Sequence, residues 1–525
     1  MPTGGATLSC VIISGQPKRE RSLTAAAIAA ALLVSLSACT DAETSSVGSG
    51  VDRDGSVQAE QFAGLYDQQI EWYECGEDEG LDDYTAEALD AAGFDLDQIG
   101  CAYVLAPLDW DDPTNEEHIE LSIVHIPATG DGELGTLLGN PGGPGSTGVD
   151  FMFGMALAPG FEKITASYDL LGFDPRGIGA STPIECDDSA SQHPVLQLGR
   201  CIAENPLTHT MGTSQVARDM ELLRALMGDE KLNYLGYSYG TMLGASYASL
   251  FPERVGQMVL DSAENAEWAS PTHLFDQQVA MANATLALAT SCTTEYDGEV
   301  ESCPFVDEQT LMSVIADLNA NPLIATDGST VSGWGLRDFL FGALYSSHFE
   351  RGRALDMIAL ALFGDQESID SIANEVSGQG ADYGMKVVTC HSFPIEPDIE
   401  GLLEHVEEVG MPRLLGGPEI NDETLAPFVD LSCYALPESG LDFSERYDAS
   451  DAGPILVIGI TGDHATPFQF AEKLTEELGN AQLLTLDGQG HAASYDDRSQ
   501  CIDHAVSQYL LEGTLPRPGA VCVDD

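Results

Sequence analysis

Lys231-Leu-Asn-Tyr-Leu-Gly-Tyr-Ser238-Tyr-Gly240-Thr-Met-Leu-Gly-Ala-Ser-Tyr-Ala-Ser-Leu250 decides how this chain is read. Residues 231–236 are short and apolar enough for a buried strand. Residues 241–250 carry a helical pattern that stops at Phe251-Pro252. Between them Gly236-Tyr-Ser238-Tyr-Gly240 leaves room for a sharp turn only because both flanking positions are glycine. Strand, tight turn and helix together form a nucleophile elbow, with the Ser238 hydroxyl raised at the helix N-terminus.

A serine hydroxyl is a weak nucleophile at neutral pH. It needs a base, and the base needs an orienting acid. Downstream, Pro454-Ile-Leu-Val-Ile-Gly-Ile460 reads as a buried strand leading to Asp463 on a turn. Ala481-Gln-Leu-Leu-Thr-Leu486 is another strand, followed by Asp487-Gly-Gln-Gly-His491. The chain order Ser238, Asp463, His491, with the acid and the base each placed just after a strand, is that of an α/β-hydrolase triad. His464 is a competing base and Asp261, at another strand end, an alternative acid that would otherwise anchor the cap junction. An oxyanion needs two backbone N–H donors. Tyr239, after the nucleophile, supplies one. Gly143, in the loop Gly139-Asn-Pro-Gly-Gly143-Pro-Gly-Ser-Thr-Gly148 after a strand at 134–138, is expected to supply the other. That loop lacks the Gly-Lys-Ser/Thr ending of a phosphate-binding loop.

Asn140-Pro-Gly-Gly-Pro-Gly145, Phe173-Asp-Pro-Arg-Gly-Ile-Gly-Ala-Ser181, Gly236-Tyr-Ser-Tyr-Gly240, Asp463-His-Ala-Thr-Pro467 and Gly490-His491 resemble the tripeptidyl aminopeptidase group of actinobacterial secreted α/β-hydrolases, a group related to prolyl aminopeptidases. The resemblance runs from Trp72 to Cys522. It implies Ser238 as nucleophile, Asp463 as acid and His491 as base, and peptide substrates with a free N-terminus received by acidic groups. One departure is His464, where such proteins often have proline after the acid. Asp174 and Arg176 end a strand and are expected to be architectural.

The expected fold is an α/β-hydrolase, a mainly parallel doubly wound sheet with an inserted helical cap. Strand-like runs lie at 120–126, 134–138, 168–173, 231–236, 257–260, 454–460 and 481–486, mostly separated by helical patterns. The long gap before Pro454 has helical spacing at 335–345 and 354–363. The expected segments are a lipoprotein-type signal at 1–38, a polar tether at 39–65, a first core part at 66–264, the cap at 265–450 and the C-terminal core at 451–525.

Lys18, Arg19 and Arg21 precede an apolar stretch, Ala25 to Leu36, too short to span a bilayer as a mature helix. It ends in Leu36-Ser-Ala-Cys39, which resembles a bacterial lipoprotein signal with Cys39 as the lipidated residue. The protein is thus expected to be an outward-facing membrane lipoprotein, or secreted, meeting the membrane only through that anchor. Setting Cys10 and Cys39 aside leaves ten of the twelve cysteines, an even number that suits disulfides in an exported chain. Proximity pairs Cys75 with Cys101, Cys186 with Cys201, Cys292 with Cys303, Cys390 with Cys433, and Cys501 with Cys522.

No CxxC pair and no His-Glu-x-x-His motif supports metal catalysis, and no cofactor is expected. Lys and Arg total 20 against 85 Asp and Glu, a net charge of −65, which repels nucleic acid and anionic membrane surfaces. The activity expected is release of short peptides, tripeptides included, from free N-termini through an acyl-enzyme. A carboxylesterase with the same triad is the alternative, and a lipid-anchored binding protein with a vestigial triad the reading from another class. As base, His491 should make kcat/KM climb through a pKa near about 6.5 and then level off.

Overall fold

The computed structural model describes residues 53–130, 132–186, 193–296, 300, 302–378, 382–429 and 431–524. The signal segment at 1–38, with Cys10, and the tether up to residue 52, with Cys39, lie outside the described residues.

Seven strands come first: β1 (Tyr73–Glu74), β2 (Gly100–Pro107), β3 (His118–Ile126), β4 (Thr136–Asn140), β5 (Asp169–Phe173), β6 (Leu232–Tyr237) and β7 (Val255–Asp261). A short hairpin, β8 (Leu323–Ile324) with β9 (Thr330–Val331), belongs to the long insertion that follows. The chain then returns as β10 (Ile455–Gly462), β11 (Ala481–Gln489) and β12 (Val521–Val523). Ten strands form one sheet in the order β1-β2-β3-β5-β4-β6-β7-β10-β11-β12. The β1–β2, β2–β3 and β3–β5 pairs are antiparallel and every later pair is parallel.

The parallel strands are buried on both faces because helices cover each side, so alternate residues enter two different cores. In β10, Ile455 and Val457 join one cluster while Leu456, Ile458 and Ile460 join the other. Tyr234 and Leu235 of β6 split the same way. Strand order also decides where a ligand goes. From β4 the chain steps out to β5, then crosses back to β6 on the other side of β4. Where the winding reverses, the loops after β4 and β6 part and leave a crevice at the carboxyl ends of the strands.

Between β7 and β10 the chain is mostly helical: Pro271–Glu295, Glu308–Ala320, Gly333–Ala343, His348–Leu362, Gln366–Gly378, Tyr383–Ser392 and Ile399–Val409. Side-chain caps set most of the starts. Ser270 accepts from the His273 N–H, Ser332 from Gly335, Ser347 from Glu350 and Asp382 from Met385. The helices from 271 to 378 bury a core of their own around Phe305, Leu340 and Leu355. Val387, Cys390 and Phe393 instead enter the main core, beside Cys433 and Leu436. The insertion therefore leaves the sheet, packs on itself, and comes back down onto it.

The structure differs from expectation in several segments, among them the short strands β1 and β12, which were not expected. The tether drawn to residue 65 is folded over its last part, with helices at Ser56–Gln61 and Ala63–Tyr66. Phe62 and Leu65, three apart, bury one apolar face, and the Phe62 ring meets Trp110 edge-on at 4.8 Å. Gln58 donates to the Arg218 carbonyl at 3.0 Å and to the Tyr66 hydroxyl at 2.8 Å. Strand β2 was missed because Tyr103 and Leu105, on its outer face, are exposed aromatic and aliphatic residues that blur the alternation.

Five disulfides join Cys75–Cys101, Cys186–Cys201, Cys292–Cys303, Cys390–Cys433 and Cys501–Cys522, in each case the nearest cysteines along the chain. Cys390–Cys433 closes the returning part of the insertion. Asp174, at the end of β5, accepts from the Val149 and Ala180 N–H groups. Arg176 is wholly buried. It grips Asp219 with two bonds of 2.8 and 2.6 Å and donates to the Leu108 and Thr210 carbonyls and to Gln215. The Trp110 indole N–H completes the Asp219 carboxylate at 2.8 Å. Removing one member of such a buried pair strands the other. Arg176→Ala should cost roughly 3–5 kcal/mol, seen as a lowered calorimetric Tm, and Arg176→Lys should recover little because one ammonium cannot replace the fork.

Candidate active site

Strand β6 ends at Tyr237, and Ser238 turns the chain with φ of 54°, in the left-handed region that a side chain rarely occupies. Such a residue costs of order 1–3 kcal/mol and persists only where its surroundings fix it. The Ser238 N–H donates to the Asp261 carbonyl at 3.0 Å, and its carbonyl accepts from the Thr241 N–H at 2.8 Å and the Thr241 hydroxyl at 2.6 Å. The loop after β4 presses on the elbow from the other side. A Cβ on Gly142 would sit 2.5 Å from the Tyr237 carbonyl oxygen and 2.9 Å from the Tyr239 nitrogen, so only glycine fits. A Cβ on Gly240 would fall 2.6 Å from the Asn140 carbonyl oxygen. Asn140 Oδ1 accepts from the Gly142 N–H at 2.9 Å and shapes the loop. Among the described residues, the Tyr239 and Gly143 N–H groups have no hydrogen-bond acceptor. Two free N–H donors thus belong to the two segments that flank Ser238.

Asp463 stands on the turn after β10 and His491 on the loop after β11, and the two meet. His491 Nδ1 lies 2.9 Å from Asp463 Oδ1 and 3.1 Å from Oδ2. Parallel pairing brings this about. Ile455 pairs with Ala481 and Gly462 with Gln489, so both strands deliver their following loops at one edge. Asp463 is buried and accepts further from the Ala465 and Thr466 N–H groups and the Thr466 hydroxyl, each at 2.9 Å. Burial alone would raise its pKa, but the imidazole and these donors hold it below the usual carboxylate value. Burial pushes the His491 pKa down, yet the charge and hydrogen bond of Asp463 outweigh it and leave the imidazole above its ordinary value. Neither Ser238 Oγ nor His491 Nε2 takes a hydrogen bond from the described residues. The two segments are joined instead through residues 261 and 262: Ser238 N–H to the Asp261 carbonyl, and Ala492 N–H to Ser262 Oγ at 2.8 Å.

The competing candidates have other surroundings. The Asp463 oxygens are taken by His491, Ala465 and Thr466 rather than by His464. The His464 ring is buried edge-on to Tyr345 at 4.8 Å, and burial pushes its pKa down to about 3, so it stays neutral. Asp261 does not reach the imidazole of His491. Its carboxylate points at the backbone just beyond it, and so it anchors the histidine loop rather than the cap junction.

Three residues here escaped the sequence reading. Thr466, in the sequence an ordinary turn residue, binds the acid from side chain and backbone alike. Tyr345, from the insertion, sets its ring 5.9 Å from that of His491. Glu264, three residues past β7, is buried with Oε2 unpartnered and 3.7 Å from His273 Nε2, and burial raises its pKa to about 8. No local pattern marks either Tyr345 or Glu264, because both are brought in by the insertion and its junction. No group of His, Cys, Asp and Glu among the described residues could hold a metal ion.

A family model described as alpha/beta hydrolase fold matches residues 135–291, and one described as TAP-like protein matches residues 421–522. The chain is 30% identical over 474 residues to the serine protease Hip1 of Mycobacterium tuberculosis, covering 80% of this chain and 87% of that protein. It is 30% identical over 468 residues to carboxylesterase B of the same organism, covering 80% and 86%. A tripeptidyl aminopeptidase of Streptomyces lividans is 38% identical over 201 residues, 33% of this chain and 37% of that one. Fold and relatives converge: the chain is a serine hydrolase and belongs to the tripeptidyl-aminopeptidase-like family of α/β-hydrolases.

Proposed function

We propose that this hydrolase is an exported aminopeptidase that releases short peptides, tripeptides among them, from free N-termini, with Ser238 as nucleophile, His491 as base and Asp463 as orienting acid. The observation that carries this reading is the Asp463–His491 pair at the strand edge that also bears the strained Ser238. Ser238 Oγ attacks the scissile carbonyl carbon while His491 Nε2 takes the hydroxyl proton. The oxyanion that forms lies between the Tyr239 and Gly143 N–H groups, each such donor contributing about 2.7–4 kcal/mol in a related site. The C–N bond then breaks, and His491 returns the proton to the departing amine. Water attacks the acyl-enzyme by the same route in reverse, releasing the peptide acid and regenerating Ser238.

An esterase reading has one specific support, the equal similarity to a carboxylesterase. The same triad cleaves esters, so substrate choice alone separates the two. Export is supported by five disulfides, which persist in oxidising compartments. The lipid anchor at Cys39 rests on the sequence alone. No helix among the described residues is long and apolar enough to cross a membrane.

A fluorophosphonate probe should label the wild-type protein and not Ser238→Ala, whose kcat should fall on the order of 10⁶-fold. Equal labelling of the two would overturn the assignment. In a series of chromogenic di-, tri- and tetrapeptide amides, free amino ends should be cleaved and acetylated ones spared. Ester turnover without any amide cleavage would favour the esterase. Because the base must be neutral, activity is lost as pH falls through the His491 pKa. The acid limb of kcat/KM should therefore lie above the ordinary histidine value of about 6.5 rather than at it, and a limb below that value would contradict the Asp463 pairing. Metabolic labelling with a fatty-acid analogue in a host that processes lipoproteins should mark the wild type and spare Cys39→Ala.

A further inference from the structure

From the hydrogen bonds at the end of β7 we infer that Asp261 is a second acid of the site, a positioning residue that holds the His491 loop in register with the Ser238 elbow. The inference rests on the triad proposed above.

Asp261 is fully buried, and its two functional ends face in different directions. Its carbonyl accepts from the Ser238 N–H at 3.0 Å. Its carboxylate accepts from the Ala493 N–H at 3.2 and 3.3 Å, the Ser494 N–H at 2.7 Å and the Ser494 hydroxyl at 2.5 Å. One residue therefore clamps the backbone of the proposed nucleophile and the segment two residues past the proposed base. Ala492 within that segment has φ of 65°, a backbone that relaxes unless held. Tyr237, beside Ser238, closes the clamp from the elbow side by donating to the Ser494 carbonyl at 2.8 Å. A carboxylate buried without a cationic side chain is costly, and a core of this kind would tolerate an apolar residue more cheaply unless the acceptor were needed.

The clamp is also tied to protonation. Burial raises the Asp261 pKa, the Ser494 and Ala493 donors and the His491 charge oppose it, and the balance lies at about 6. The titratable groups facing it are His491 and Tyr237, while Asp463 and Glu264 act on the same imidazole. As pH falls through that value the carboxylate takes a proton and loses acceptor capacity for Ser494, so the loop loosens in the range where His491 itself becomes charged. The wild-type acid limb should accordingly be steeper than one proton allows.

Asp261→Asn tests this. With KM within twofold of wild type, its kcat should fall about 10- to 100-fold, the effect of slight misplacement of a base. Its acid limb should become a one-proton curve and move to lower pH, because Asp261 no longer raises the His491 pKa. A buried residue of purely structural value would lower stability without moving the limb. Should Asp261→Asn fail to fold by circular dichroism, Ser494→Ala decides. It removes one donor that lowers the Asp261 pKa, so kcat should fall about 3- to 10-fold and the limb should move to higher pH. Wild-type kcat and an unmoved limb in the folded variant overturn the inference. Fluorophosphonate labelling keeps the two claims apart. An unlabelled wild type defeats the triad, whereas a labelled wild type with Asp261→Asn labelled as fast defeats only the role of Asp261.

Discussion

The hydrogen bond between His491 Nδ1 and the buried Asp463 carboxylate is the interaction on which the site depends. It selects one imidazole tautomer, leaves Nε2 free to take a proton, and makes protonation of that nitrogen easier than burial alone would allow. Nothing local to residue 463 or 491 creates it. It exists because β10 and β11 run parallel, paired in one register from Ile455 to Ile460 and shifted by one residue at Gly462, so that two loops 28 residues apart along the chain emerge side by side. The apolar residues of β10, sent alternately into the two cores, hold that register: a one-residue slip would turn every one of them to the wrong face.

Around that pair the site is built from backbone turns that cannot relax independently. Ser238 keeps a left-handed backbone because Gly142 and Gly240 let the chain close to distances no side chain permits. Among the described residues, the N–H groups of Tyr239, next to the serine, and of Gly143, in the loop that presses on the elbow, have no acceptor. Strain and unsatisfied donors are both costs to folding, and under the function proposed above the donors serve the oxyanion of acyl transfer. The net stability comes from elsewhere, from the two cores of the sheet.

Much of this was legible in the sequence because it is encoded locally. Gly236-Tyr-Ser238-Tyr-Gly240 between an apolar run and a helical pattern has few other uses, and the runs ahead of Asp463 and His491 read as strands from their composition alone. The strand at 134–138 begins two residues later than expected, since Gly135 has φ of 82° and Leu134 is exposed. What depends on tertiary folding was hidden. The helices at 56–66 looked like tether because polar residues surround Phe62 and Leu65, the two that bury. Tyr345 and Glu264 join the site only through the path of the insertion, and Asp261 serves the histidine loop through contacts more than 230 residues away in sequence.

The most direct test of the account is a crystal structure of the fluorophosphonate adduct. The account predicts phosphorus bonded to Ser238 Oγ, its free oxygen between the Tyr239 and Gly143 N–H groups, and His491 Nε2 within about 2.6–3.2 Å of Oγ while Nδ1 stays on Asp463. An adduct on another residue, or a His491 ring that has left Asp463 and cannot reach Oγ, would contradict it.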